Sequence, residues 1–572
     1  MCRSARSLLL AGLLVLGVAP RLLAAGPVLR IVYFTPSDRE AIPGYAARVT
    51  ACVQHVADFY RQGMAANGLG ERTFALDMAG DVARIELVKG AKKLREYGRD
   101  SFWEIADEVR RAVGPRGIDL NREYVLVVTT LLLWDGNKAV EVGPYAGSGA
   151  FDHGICLVYD DERISAANLP DKTTPAWYNG PCSLGQFNSH YIGGFAHELG
   201  HAFGLPHDKE TSEERRTGIS LMGSGNHTFG NELRGEKPST ILSRATAVAL
   251  ARQPLFRGGR EGLGGPISSS LSDLAWGYAD GKITLSGRVT AKPAPYAVIA
   301  YNDDDAIKAD YDAIAWTATP DRDGRFKLAI GDLRRGSFEL RLRVCLDSGA
   351  WDYHSFHYSA DENGKPDLSL MQRQTLVAAG FAALDARDRA AVAKVASQLE
   401  ALTTDATATA QGRLLRRLAA PPTPADPATV ADGTASIALS DLRWTAAATG
   451  WGQPLRDQVW REDTNRFLTV GGRFFDRGLF AHAPAGYTFA TAGRWKRLVA
   501  DYGLQDGHDG AVRFIVRADG REIWRSEPVA DHQVRHLDLP IDGVKSLELR
   551  TALGGESASG TWGVWLAPRL ER

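Results

Sequence analysis

His197 and His201 stand four residues apart within Tyr191–Asp208, whose sequence is Tyr-Ile-Gly-Gly-Phe-Ala-His-Glu-Leu-Gly-His-Ala-Phe-Gly-Leu-Pro-His-Asp. On a helix such a pair projects from one face, one turn apart, and can grip a single cation. Glu198 lies between them, offset by one position. There it can act as a base on a water beside the cation without taking a coordination place of its own. Gly204 lets the helix end and the chain reverse, so that three residues later His207 swings back as a third imidazole. Three neutral nitrogens with one position left open is how catalytic zinc is held, so Zn2+ is the expected cofactor. A surface helix that happens to carry histidines is the bland alternative. The added glycine and third histidine weigh against it.

Several earlier segments have to position this helix. Leu29–Phe34 reads as a first strand. From Tyr45 to Met64 the apolar positions Val49, Cys52, Val53, Val56, Phe59 and Tyr60 recur at the helical period. Val82–Val88 alternates like a strand, Phe102–Val113 is again helical, and Tyr124–Leu133 is a nearly continuous apolar run suited to a central, doubly covered strand. This β-α-β-α-β order predicts a three-layer α/β domain, with one or two more strands between Gly149 and Tyr159. The histidine helix carries its own packing stripe, Ile192, Phe195, Leu199 and Ala202, which leaves the neighbouring face for the metal. A last helix over Thr240–Gln253 is expected to close the domain near Phe256, followed by a glycine-rich linker from Gly258 to Pro266.

Residues 1–25 combine Arg3 and Arg6, an apolar run Leu8–Val18 and small residues at Ala24 and Ala25, the pattern of a secretory signal peptide. The run is too short for a membrane anchor and is interrupted by Pro20 and Arg21. The mature chain is therefore expected to be secreted, periplasmic or extracellular, with no membrane insertion. Little room remains for a propeptide before the first strand. The 572 residues exceed one core, and the formal net charge of −1 gives no reason to expect a nucleic acid partner. Beyond Cys2, four cysteines remain. In an exported chain Cys156 and Cys182 could form a disulfide; four free thiols are the plainer reading.

After the first domain the pattern becomes all-β. Strand-like Lys282–Val289, Tyr296–Tyr301, Arg325–Ile330 and Ser337–Cys345, separated by turn clusters, predict a small β-sandwich over residues 266–367. Asp303, Asp304, Asp305, Asp310 and Asp312 form an acidic run, read as a solvated loop in preference to a calcium site. Residues 368–419 are alanine-rich with helical spacing and predict a two-helix hairpin spacer. Residues 420–434, with Pro421, Pro422, Pro424 and Pro427, predict a stiff extended linker. Residues 435–572 alternate as a further all-β sandwich rich in tryptophan. Those rings either pack a core or offer flat faces to sugars, and core packing is the better account for most of them.

The His197–Asp208 motif together with Met222, in Ser220-Leu-Met-Gly-Ser-Gly225, resembles the metzincin clan of zinc endopeptidases, in which a Met-turn passes beneath the metal. Leu29–Phe34, Phe74–Asp77, Gly193–His201 and Leu221–Gly230 more closely resemble the bacterial O-glycopeptidases, over about residues 28 to 365. That resemblance implies a metzincin domain at 26–262 and cleavage of mucin-type glycoproteins just before a Ser or Thr bearing a GalNAc- or Gal-containing O-glycan. It also implies that an edge strand lines the cleft, where an extended peptide adds to it. By position in the resemblance, Trp134 and Tyr145 are candidates to hold the sugar, with core packing as the alternative. Where these enzymes have a tyrosine after the Met-turn, this chain has His227. Imidazole can donate to an oxyanion, bind metal or titrate near neutrality, and it can also be plainly solvated. Leu439–Trp444, Gly450–Gly452, Leu468–Gly472, Arg477–His482 and Val512–Gly520 are similar to the NPCBM family of carbohydrate-binding β-sandwiches.

The expectation is a monomeric, secreted zinc endopeptidase with Glu198 as base and proton donor, His197, His201 and His207 as ligands, and His227 assisting at the oxyanion. Two rivals stand beside it. One is a metzincin of ordinary peptide specificity tethered to glycans; the other is a non-catalytic glycan-binding protein. An intact ligand set with a base beside it argues against the second.

Overall fold

The computed structural model describes residues 26–263, 265–307, 311–402, 405–460 and 466–572. The signal-peptide segment 1–25 and Asp310 of the acidic run lie outside the described residues. The chain divides into two compact units, Met1–Asp367 and Leu368–Arg572. Among the described residues no helix is long and apolar enough to cross a membrane.

The first unit opens with β1 (Val28–Thr35), α1 (Tyr45–Ala66), β2 (Ile85–Lys89), α2 (Phe102–Val113) and β3 (Tyr124–Thr129). Strands β1, β2 and β3 run parallel, with β1 between the other two. The chain therefore moves outward from β1 to β2 and then back past β1 to β3, and right-handed crossovers put α1 and α2 on opposite faces of the sheet. Every residue of β3 is buried, as its unbroken apolar run requires of a central strand. That run ends earlier than its hydropathy suggests. Leu132–Asp135 leaves the sheet and pairs instead with Lys138–Glu141 as a hairpin.

Beyond β3 the sheet continues through β4 (Gly154–Tyr159), parallel, to an antiparallel edge strand β5 (Ala146–Gly149). Across this end of the sheet runs α3 (Leu184–Ala202), started by a capping box in which Ser183 and Gln186 satisfy each other's backbone N–H groups. Tyr60 of α1 donates to the Ala196 carbonyl and ties the two helices together. The closing helix is shorter than the alanine-rich sequence predicts. Thr240–Ile241 pairs with Ile219–Ser220, and the helix α4 (Arg244–Leu250) begins only after Ser243, whose hydroxyl caps it.

The rest of this unit is an antiparallel β-sandwich. Ser268–Ala279, Lys282–Lys292 and Arg325–Ile330 form one sheet; the other runs in the order Ile314–Ala318, Pro295–Asp304, Gly336–Leu346, Trp351–Ala360, Pro366–Asp367. Its core is continuous with that of the α/β part: Ala297, Ile299, Tyr301, Ala315 and Cys345 belong to the same buried cluster as the α/β sheet. The acidic run corrects its sequence reading as a solvated loop. Asp303 and Asp312 are buried, Asp304 and Asp312 share Arg334, and Asp303 faces Arg341. Arginines supply the charge that calcium would otherwise have brought.

In the second unit the expected two-helix spacer is three helices, α5 (Ser369–Asp385), α6 (Arg389–Glu400) and α7 (Ala406–Ala419). They are joined to the C-terminal β-domain, because Phe381 of α5 packs against the fully buried Phe467, and Phe467 against Phe474. The proline-rich stretch is not a free linker either. Ala425 exchanges backbone hydrogen bonds with Asp441 and Arg443, and Val430 enters the β-domain core. Two five-stranded antiparallel sheets complete the unit. Of the tryptophans, Trp495, Trp562 and Trp565 are buried, as the core reading predicts, whereas Trp451 is 50% exposed.

Candidate metal centre and cleft

Three imidazoles converge on one point. The Nε2 atom of His201 lies 3.1 Å from the Nε2 of His197 and 3.1 Å from the Nε2 of His207. Among the described residues these three form the only cluster of ligand-type side chains able to hold a metal ion. His197 donates from Nδ1 to the Leu221 carbonyl at 2.7 Å, and His201 from Nδ1 to the Leu205 carbonyl at 2.9 Å. Each of these rings has thereby committed its proton on the far side, and its Nε2 lone pair faces inward. Burial, with the neighbouring imidazoles second, pushes the ring of His197 down to about 3 and that of His201 to about 4, so both are neutral. Inward-facing lone pairs at such distances repel one another, and a cation between them turns the repulsion into coordination. The donor set of three imidazole nitrogens suits Zn2+.

Two glycines shape the surroundings. Gly204 takes φ of 77° where α3 ends, which lets the chain turn back and bring in His207. On the other side Gly147 of β5 lies so close to α3 that a Cβ there would sit 1.9 Å from the Glu198 carbonyl oxygen. The edge strand thus runs directly beside the Glu198–Ala202 stretch of the helix. Burial raises the Glu198 carboxyl to about 8, opposed by a hydrogen bond from the Gly147 backbone. The positive charge of a bound cation would draw it back down.

Beneath the histidines, Met222 is fully buried, and its Sδ fills the space beside Gly200, where a Cβ would lie 2.4 Å from it. The same loop offers the Leu221 carbonyl to His197, so the turn both floors the site and fixes a ligand's tautomer. Asp208 follows the third histidine and does not face the site. It accepts hydrogen bonds from Ser220 at 2.5 Å, from Thr246 at 3.0 Å and from Ser243, and so ties the His207 turn to the Met222 loop and to α4. Burial raises its carboxyl to about 6 against those three donors.

His227 is exposed on the turn Gly225–Thr228, outside the metal cluster. Its Nδ1 lies 3.4 Å from the Nδ1 of His190, and the two rings stack at 5.3 Å. His190 in turn stacks on Tyr178 at 3.5 Å and faces Glu141. Tyr178, His190 and His227 line an open cavity of about 540 Å3 together with Cys182, Gln186 and Asn231. Sequence reasoning missed His190, although it precedes His197 by two helical turns and so shares its face.

Tyr145 donates its hydroxyl to the Tyr191 carbonyl at 2.5 Å, packs against Gly194 and feels the charge of Glu198. Trp134 donates Nε1 to Asp161 at 2.7 Å; the Arg163 guanidinium lies 3.8 Å over its ring and Phe187 packs beside it. Both rings are thus engaged within the protein. Cys156 and Cys182 are not bonded to each other, and all four described cysteines are free thiols.

Residues 435–571 match the NPCBM/NEW2 domain model. No curated protein matches the chain. Among solved structures, OgpA from Akkermansia muciniphila, as a catalytically inactive form in complex with an O-glycopeptide substrate, is similar with a TM-score of 0.51. The identity is 24%, covering 59% of this chain and 94% of that one. Wild-type OgpA gives the same TM-score and identity over 60% of this chain and 96% of its own. At this identity the likeness is one of fold.

Proposed function

We propose that the chain is a metal-dependent endopeptidase of metzincin type that hydrolyses mucin-type O-glycoproteins next to a glycosylated Ser or Thr. The observation that carries the hydrolytic reading is the convergence of three imidazole nitrogens next to Glu198, whose carboxyl shares a helix with two of them. His197, His201 and His207 would hold Zn2+, which when bound supplies Lewis acidity to the scissile carbonyl and the attacking water. Glu198 accepts the proton of that water and passes it to the leaving amine. The edge strand β5 offers unpaired backbone groups along the cleft, to which an extended peptide adds as a further strand. His227, exposed on the turn Gly225–Thr228, would donate to the developing oxyanion.

The glycan part of the reading is supported by the fold shared with OgpA, which was captured with an O-glycopeptide, and by the NPCBM/NEW2 match at 435–571. The cavity lined by Tyr178, His190 and His227 adds an aromatic face and hydrogen-bonding groups beside the metal site, which a sugar ring requires. Trp134 and Tyr145 support such a pocket from behind, since their polar atoms are already engaged. The C-terminal module would bind glycans and keep the enzyme on its substrate.

The test is digestion of an O-glycosylated mucin-type peptide beside its unglycosylated twin, with mass spectrometry locating the cut, with and without a chelator. Chelator-sensitive cleavage of the glycosylated form alone, before the sugar-bearing residue, is the expected result. Equal cutting of both peptides would leave a metalloprotease of ordinary specificity, and no cutting of either would overturn the hydrolytic reading.

A further inference from the structure

The turn that delivers the third histidine is gripped by the β-sandwich rather than by the α/β part alone. Four contacts make the grip. Tyr311 lies with its ring stacked on His207, centroids 3.7 Å apart and planes 27° from parallel. Two residues on, the Ala313 carbonyl accepts from the backbone N–H of Lys209 at 2.7 Å, and Lys209 bridges Ile314 in parallel fashion. At the other end of the turn the buried Arg343 donates to the Gly204 carbonyl at 3.1 Å, a cation on the last carbonyls of α3. Trp351, itself under the Arg343 guanidinium at 3.9 Å, closes on Gly204 so tightly that a Cβ there would lie 2.2 Å from its ring.

His197 and His201 ride on a regular helix whose geometry fixes their spacing, but His207 comes from irregular chain beyond it. A ligand on a loop must be held by its neighbours if the three nitrogens are to be preorganised. Tyr311 is 51% exposed, so its ring can be removed without emptying a core.

We propose that the β-sandwich is a working part of the metal site, a clamp on residues 204–209 in which Tyr311 is the positioning residue for His207. The inference rests on the reading of His197, His201 and His207 as metal ligands. Without the clamp the turn samples conformations in which His207 is withdrawn, and metal binding bears the cost of recovering the right one.

The test measures Zn2+ affinity of the full chain by competition with a chromogenic chelator, together with the visible spectrum of the Co2+-loaded protein, for Tyr311→Ala and Tyr311→Phe. Removing the ring should weaken affinity about 10-fold, the scale of supporting contacts around metal ligands, and shift the Co2+ spectrum. Tyr311→Phe keeps the ring and should stay within about 2-fold of the unsubstituted chain. Because the side chain is half exposed, both variants should fold, which thermal unfolding of the metal-free protein checks. Unchanged affinity and spectrum in Tyr311→Ala would overturn the clamp, as would equal losses in both variants. Absence of stoichiometric Zn2+ binding before any substitution would overturn the metal reading itself.

Discussion

In the proposed reading Glu198 and the three histidines have separate tasks, and each can be removed alone. Glu198→Gln keeps the shape and the ligands but removes the base, so it should bind one Zn2+ per chain while cleavage falls by at least about 100-fold. Metal analysis alongside peptide digestion checks this, and retained cleavage would displace Glu198 from its role. A second prediction concerns His354, partly buried and 2.8 Å from the Ser269 hydroxyl. Burial lowers its pKa from 6.5, with Asp352 opposing. The fold therefore favours the neutral ring, and below pH 6.5 the unfolded chain binds the proton more readily. Its contribution to stability is fully present above that pH and is lost as pH falls through 6.5 towards the folded value. His354→Gln should accordingly show a shallower fall of the melting midpoint between pH 7 and pH 5. That His197 and His201 share a helix face was legible in the sequence because their spacing is a local, helical matter. Tyr311 was not, since its place over His207 is created by the docking of a second domain, which no local pattern encodes.

Helices α1 and α2 were legible from their apolar period, because both lie over a sheet with one face buried. The sequence misjudged the start of the segment 240–253, where the β-branched Thr240 and Ile241 pair with Ile219–Ser220 and the alanine-rich helix begins only at Arg244. The edge strand β5, Ala-Gly-Ser-Gly, carries almost no strand propensity, yet its glycines are what allow it to touch α3. Gly147→Val should therefore destabilise the first unit by about 1–3 kcal/mol through overpacking and also displace Glu198. Differential scanning fluorimetry and kcat measured together test it, and a variant with both unchanged would show that the strand can move away without consequence.

Across the molecule, the sequence foretold the order of α/β, β-sandwich, helices and C-terminal β-sandwich, but not where one core stops and the next begins. Those limits are set by particular side chains. Phe467, far along the chain from α5, packs on Phe381 of that helix, beside the Arg466–Asp385 and Arg417–Asp457 ion pairs. Phe467→Ala should cost the second unit about 3–5 kcal/mol, and a fragment beginning at 435 should melt well below one beginning at 368. Circular dichroism of the purified fragments decides the matter; equal midpoints would show the helices to be independent after all.

The absence of disulfides among the described cysteines has a practical side. Cys52, Cys156 and Cys345 are buried, whereas Cys182 is partly exposed and lines the cavity that His190 and His227 share. A gentle alkylating fluorophore should accordingly choose one thiol in the folded protein. Its emission would then report directly on who occupies the neighbouring cavity, turning the protein into its own binding sensor.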